Sequence, residues 1–339
     1  MPAGPPACGR VAFVAGEGHH DEAIHRVFVV AADGSGAKSD GAAPQKIAEV
    51  LASEPSMFPA AVAPDGSKLL LLSSQPLPEA KSFDRLFLLP LDQPLPGTLT
   101  PLGPQGELLR NPAWAPDASF IVFESDADSF RDLYRVQIGS DTPLRLTNDP
   151  QGNFEPEVSP DGQSIVFVSS RDGNAEVYVM AADGGDPRRL TNSPGDDSAP
   201  QWSPDGKTLA FSSSRASERG IDVYLMAADG SEQRPAVEAS RGQVMARDLA
   251  WSPDGKQLAF TQLIPERGAG VVIVDVAAGE IVARSSESDH DEQPSWSGDG
   301  RFLAFTRTRA KGGADESARI MRMDPGGGAA IALTPEGGE

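Results

Sequence analysis

Apolar and polar positions alternate along this chain in short runs. A stretch such as Lys207–Ser214, KTLAFSSS, gives way to the run IDVYLMAADG at Ile221–Gly230, and the same two patterns return again and again. Runs this short, rich in Val, Ile, Leu, Phe and Tyr and bounded by Gly, Pro, Asp and Ser, predict β-strands joined by tight turns. The most regular copies begin PQWSPDGKTLAFSSS at Pro200, PEVSPDGQSIVFVSS at Pro156, LAWSPDGKQLAFTQ at Leu249 and PSWSGDGRFLAFTRT at Pro294. Looser copies begin PAWAPDASFIVFES at Pro112 and PAAVAPDGSKLLLLSS at Pro59. The turn aspartate recurs at Asp65, Asp117, Asp161, Asp205, Asp254 and Asp299, at spacings of 52, 44, 44, 49 and 45 residues.

Each repeat reads as four strands: a PQWS type, a KTLAFSS type, a DVYLMAA type and an RRLT type. Four antiparallel strands in about 44 residues is the size of one propeller blade. A lone blade cannot bury both its faces, so the units must stack. In the SPDGK turn, Pro presets φ, Asp suits the next position and Gly takes the left-handed one. The recurring aspartates are therefore assigned to turn formation and not to catalysis. Trp114, Trp202, Trp251 and Trp296 fall at one strand position and, with Phe211 and Phe260, are assigned to packing between blades.

The repeated WSPDGK-LAF-S … VYVMAADG … RRLT pattern resembles the TolB-type propeller repeat, a relative of the WD repeats with Pro-Asp in place of Trp-Asp. The resemblance runs over about residues 10 to 335. It implies an all-β fold, a closed β-propeller of four-stranded antiparallel blades, in a periplasmic or envelope-associated protein. It leaves the function open, because this repeat occurs in scaffolds, peptidases and sugar lyases alike. Ahead of the first PDG turn, RVAFVAG, HRVFVVAADG and QKIAEV supply the second, third and fourth strands of a further unit whose first strand is missing. The expected count is seven blades, with six as the alternative, in a single domain over 10–339 behind a flexible N-terminus, 1–9.

The formal charge of −20 disfavours nucleic acid and anionic membranes as partners and favours a protein or a basic peptide. No apolar run is long enough to span a membrane. The one cysteine, Cys8, excludes an internal disulfide and a Cys-pair metal site. Its plain reading is a free thiol. The small residue before it suggests a lipoprotein anchor as the alternative, although no basic or apolar leader segment precedes it.

Tight PDG and ADG turns should share one rim, and the longer second-to-third and fourth-to-first connections the other. That loop-rich rim, at the channel mouth, is the candidate binding face. Its fourth-to-first loops are acidic, including Glu155, Asp196, Asp197, Asp289, Asp291 and Glu292, whereas its second-to-third loops carry arginines, among them Arg171, Arg215 and Arg307. These nine residues are the expected partner contacts. His19, His20, His25 and His290, with Asp289 and Asp291, are the weaker candidates for a divalent cation; no other cofactor is expected. No G-x-S-x-G elbow or phosphate-binding glycine loop occurs. The expectation is a monomeric, non-catalytic binding scaffold of the bacterial cell envelope. The alternative is a channel-mouth enzyme, a metal-assisted carbohydrate lyase or hydrolase.

Overall fold

A computed structural model of the chain describes residues 10–17, 24–31, 45–49, 57–76, 82–90, 100–107, 109–127, 130–216, 220–237, 245–264, 268–285, 290–310 and 316–334. Every element among them is a strand. In chain order they are β1 (Arg10–Glu17), β2 (Ile24–Ala31), β3 (Gln45–Glu49), β4 (Met57–Val62), β5 (Lys68–Pro76), β6 (Ser82–Pro90), β7 (Thr100–Glu107), β8 (Leu109–Trp114) and β9 (Phe120–Ser125). Next come β10 (Asp132–Gln137), β11 (Leu144–Arg145), β12 (Asn153–Val158), β13 (Ser164–Ser169), β14 (Glu176–Ala181), β15 (Arg188–Arg189), β16 (Asp197–Trp202), β17 (Thr208–Ser213) and β18 (Asp222–Ala227). The last are β19 (Arg234–Pro235), β20 (Met245–Trp251), β21 (Gln257–Ile264), β22 (Gly268–Asp275), β23 (Glu280–Arg284), β24 (His290–Trp296), β25 (Leu303–Ala310), β26 (Glu316–Met323) and β27 (Ile331–Ala332).

They form six four-stranded sheets in sequential order, β4–β7, β8–β11, β12–β15, β16–β19, β20–β23 and β24–β27, and one three-stranded sheet, β1–β3. Of the seven units expected, six are complete blades, which is the alternative count. The β1–β3 sheet is the unit for which the sequence shows no first strand. Met1–Gly9, with Cys8, lies outside the described residues.

The PDG turn does what its residues dictate. The Gly sits at positive φ, 68° at Gly206 and 70° at Gly255, and its N–H donates back to the residue three before it. The Asp carboxylate accepts from the backbone N–H two residues on, as in Asp205 from Lys207 at 3.1 Å. It also takes a serine hydroxyl. In four turns that serine precedes the Asp by two, as Ser159 does at 2.6 Å from Asp161. Where alanine stands there instead, at Ala63 and Ala115, a serine two residues after the Asp takes over: Ser67 at 2.7 Å and Ser119 at 2.6 Å.

By contacts the chain divides into two compact units, one of Met1–Val11, Val29–Gln45 and Ser203–Glu339, the other of Ala12–Phe28 and Lys46–Trp202. Within the second, the core lies between successive sheets. One cluster joins Leu70, Leu86 and Leu88 to Phe123, Tyr134 and Val136; the next joins Phe120, Val122 and Leu133 to Ile165, Phe167 and Tyr178. Within the first unit, Val223 and Leu225 pack with Leu258, Phe260 and Val272, and Ile273 with Leu303 and Phe305. Trp202, Phe211 and Phe260 are buried and Trp251 is partly so, as the packing assignment requires.

Five first strands share an irregularity. Asn111, Glu155, Ala199, Asp248 and Gln293 all have positive φ, between 45° and 57°. In β8, β12, β20 and β24 the register to the second strand slips at this point. This is a β-bulge, one extra residue that turns the strand and re-aims its backbone N–H.

Candidate functional site

Strand register fixes which connections share an end. Asn153 at the head of β12 faces Ser169 at the end of β13, and Ser169 faces Glu176 at the head of β14. The second-to-third and fourth-to-first connections therefore lie together, away from the PDG and ADG turns.

The bases of these loops are fixed by a repeated polar lock. In the β8–β11 sheet, buried Asp132 at the head of the third strand accepts from Arg145 at 2.6 Å, Thr147 at 2.7 Å and Asn153 at 2.8 Å. In the β12–β15 sheet, buried Glu176 accepts from Arg189 at 2.7 Å, Thr191 at 2.6 Å and the Ser193 N–H at 2.9 Å. The RLTN motif, read in the sequence only as a fourth strand, carries both locks, because its Arg and Thr reach back to the same carboxylate. Its regular strand is accordingly just two residues long. Burial works to raise the Glu176 carboxyl, but the hydrogen bonds from Thr191, Ser193, Arg189 and Asn174 outweigh it and hold it below the usual range.

The candidate arginines are part of this frame. Arg171 donates to Ser169 at 2.8 Å and to Asn153 at 2.9 Å, and its guanidinium lies 4.8 Å from the centre of the Tyr178 ring. Arg215 repeats the arrangement one sheet later, with Ser213 at 2.8 Å, Gln233 at 2.6 Å and Tyr224 at 4.7 Å. Arg307 and Asp291 lie in β25 and β24 and not in the loops, because these strands run on past them as paired neighbours. Arg307 grips Asp291 through two hydrogen bonds of 2.6 and 2.8 Å, and both residues are buried. Such fork geometry makes a strong pair and leaves neither charge for a ligand.

The candidate acids divide by burial. Asp197, at the head of β16, is fully buried. Asp196 is exposed and accepts the Ala175 N–H at 3.1 Å. Glu292 lies in β24, opposite Thr306, and not in the preceding loop; it is one-third exposed and pairs with Arg247 at 2.7 Å. Glu155 lies in β12 and not in the preceding loop, because the strand begins two residues earlier and passes through Glu155 as its bulge. His290 heads β24, and its ring rests on Gly268, where a Cβ would come within 3.1 Å of Cε1. His25 lies in β2; His19, His20 and Asp289 lie outside the described residues. Among the described residues no group of three or more His, Cys, Asp or Glu could hold a metal ion.

Two acids prominent here, Glu124 and Glu157, had little to mark them in sequence: Glu124 sits in a second-strand position where other repeats have Val168, Ser212, Thr261 and Thr306, and Glu157 reads as a loop acid. In the structure Glu124 is 1% exposed, accepts the Glu155 N–H and the Asn111 amide, both at 2.6 Å, and lies 3.6 Å from Arg131. Glu155 and Glu157 accept the backbone N–H groups of Ala199 and Trp202 on β16, each at 2.6 Å. Each of these two residues keeps some surface in contact with solvent. The protein packed around the Glu157 carboxyl nevertheless pushes it up to about 8, against the Trp202 hydrogen bond. Burial also raises Glu155, with the Glu124 charge adding to it and the Ala199 N–H and Arg131 opposing.

The TolB beta propeller domain matches the chain over residues 8–228 and again over 147–339, and the chain belongs to that family. It is a β-propeller of four-stranded antiparallel blades. Solved structures with the same fold include a putative TolB from Agrobacterium tumefaciens, 22% identical over 70% of this chain and 84% of that one, with a TM-score of 0.54. A puromycin-hydrolyzing peptidase from Mycobacterium tuberculosis is 17% identical over 97% of this chain, with a TM-score of 0.65; the match spans 54% of the peptidase. An oligogalacturonate lyase from Vibrio parahaemolyticus is 14% identical over 97% of this chain and 86% of that one, with a TM-score of 0.64. No curated protein matches the sequence. Among the described residues no helix is long and apolar enough to cross a membrane.

Proposed function

We propose that this chain is a non-catalytic binding scaffold of the bacterial cell envelope, which engages a protein or a basic peptide at its loop-bearing rim. The observation that carries this reading is the division of labour there. Buried carboxylate–arginine locks immobilise the loop bases, while Asp196 and Phe130, 45% exposed, stand outward on that fixed frame. Rigid presentation of a few exposed groups lowers the ordering cost of binding, and a net charge of −20 favours a basic partner. Membership of the TolB propeller family supports an envelope location. In this reading Asp197 and Arg171 shape the rim of one unit, on which Asp196 is offered to a partner, and Asp291, Arg215 and Arg307 shape that of the other, on which Glu292 is offered.

The test is affinity capture from an envelope extract with the full chain, followed by titration of the captured protein. Asp196→Asn, Glu292→Gln and Phe130→Ala, each made separately, should weaken binding about tenfold or less, and raised salt should weaken the parent further. Parent-like affinity in all three, at low and high salt alike, rejects the rim as the docking face.

One observation favours the alternative of an enzyme: Glu155 and Glu157 hold their protons to higher pH than an ordinary glutamate, as a general acid must. Turnover of an oligogalacturonate or a peptide amide by the purified chain, abolished in Glu157→Gln, would establish it; parent-like turnover in that variant would remove it.

A further inference from the structure

The β12 and β16 strands meet differently from the other first strands. At three other seams, neutral groups hydrogen-bond the neighbouring sheet, and the carboxylate that crosses at one of them, Glu292, is paired with Arg247 at 2.7 Å. The Trp114 indole donates to the Ala61 carbonyl at 3.4 Å and the Trp296 indole to the Ala250 carbonyl at 3.0 Å. Ser212 donates to Ala246 at 3.3 Å, and Thr261 accepts the Gln293 N–H at 3.0 Å. The seam between the β8 and β12 sheets is crossed by a carboxylate, Glu124, but that one has Arg131 beside it. Between β12 and β16 the bridging groups are two carboxyls, Glu155 to Ala199 and Glu157 to Trp202. Ala61, Ala113, Gln201, Ala250 and Ser295 occupy the place of Glu157 in the other first strands. The buried Trp202 indole N–H has no hydrogen-bond partner among the described residues, so the neutral bridge of the sister seams is lacking too.

We propose that the β12–β16 seam is a pH-responsive joint, closed while Glu155 and Glu157 are neutral acids and loosened when they ionise. A neutral carboxyl accepts an amide N–H through its carbonyl oxygen at no charge cost. An ionised one accepts more strongly but must hold a charge amid packed protein, which is costly without a cation.

The surroundings supply little compensation. On β8 the charged group is exposed Arg110; on β9 it is Glu124, whose charge opposes ionisation of Glu155. Arg131, just before β10, favours it but is 3.6 Å from Glu124. On β10, Asp132 is held by Arg145, and Arg135 donates to the Ala182 carbonyl. β13 has no titratable side chain, and β16 has Asp197, a further acid. Among the described residues no cation is set against Glu157, and burial accordingly raises its carboxyl to about 8. The inference is independent of the proposed binding role.

The experiment uses the full chain, with amide hydrogen exchange read at Ala199 and Trp202 and corrected for intrinsic rates. Between about pH 6 and pH 9, protection at Trp202 should fall by about tenfold, while amides at the Thr261–Gln293 seam keep theirs; protection at Ala199 should fall once pH passes above the ordinary glutamate range. Glu157→Gln should abolish the fall at Trp202, and Glu155→Gln the fall at Ala199. An unchanged fall in both variants overturns the proposal. Carboxyl-carbon NMR titration of the parent decides the matter even where a variant fails to fold: Glu157 titrating far above the ordinary glutamate range supports the joint, and an ordinary titration refutes it.

Discussion

Ala118 occupies the turn position that glycine holds in the five sister turns, and it does so at φ 56°. Its N–H still donates to Ala115 at 2.9 Å, so the turn is intact and the cost is the left-handed backbone, roughly 1–2 kcal/mol for a residue with a Cβ. Ala118→Gly relieves that strain but gives the unfolded chain more freedom, an offset of about 0.4–1 kcal/mol. The expected net is a gain of up to about 1.5 kcal/mol in denaturant melts, and a loss would show that the strain is absent. The aspartates of these turns are held below their usual range by serine hydroxyls first and backbone N–H groups next, Asp299 down to about 2. Their native pKa lies below the unfolded one, so the stability they add is full above the unfolded value and fades as pH falls through the native one. Acid unfolding should therefore set in below about pH 4, and Ser297→Ala should shift its onset upward; an unmoved onset would detach Asp299 from acid stability.

Among the elements, second and third strands were the most legible, since KTLAFSS and DVYLMAA announce both their length and their burial. Phe211 is fully buried, with its ring 5.8 Å from that of Tyr224. Phe211→Ala should cost about 3–5 kcal/mol through lost burial and the cavity left behind; a loss under about 1 kcal/mol would mean the site collapses freely. Fourth strands were less legible. Arg189 and Thr191 look like strand residues by position, yet their side chains serve Glu176 across the sheet, a relation that no local pattern displays. Replacing Arg189 by Met leaves a buried carboxylate short of its ion pair and should cost about 2–3 kcal/mol. Thermal melts of that variant near neutral pH within about 0.5 kcal/mol of the parent would show that Thr191 and Ser193 suffice. The candidate rim was legible in position but not in detail, because sequence does not reveal that Asp291 and Arg307 would be buried against each other.

For the molecule as a whole, the repeat made the six complete blades readable from the turn aspartates, and the opening three-stranded unit readable from its strand patterns. What it concealed lies between repeats, where residues about one repeat apart, such as Glu155 and Ala199, meet. The two groups of acids also pull stability in opposite directions. Turn aspartates favour the native state above about pH 4, whereas Glu157, whose native pKa is raised to about 8, contributes stability that declines as pH climbs from its unfolded value through that point. The native state should be most resistant to denaturant on the acid side of neutrality, and Glu157→Gln should flatten the alkaline limb. A parent profile that is flat from about pH 5 to pH 9 would contradict this.

The bulged first strands impose a direction on the chain. At Glu155, Ala199 and Gln293 the later repeat offers a backbone N–H, and the earlier repeat supplies the oxygen that receives it: Glu124, Glu155 and Thr261. A ribosome delivers the oxygen first. Each of these three acceptors is therefore in place and hydrated before the strand that donates to it emerges. Growth from the N-terminus thus makes each of these acceptors part of a finished sheet before its donor arrives, so that the later strand docks onto an oxygen already fixed in place.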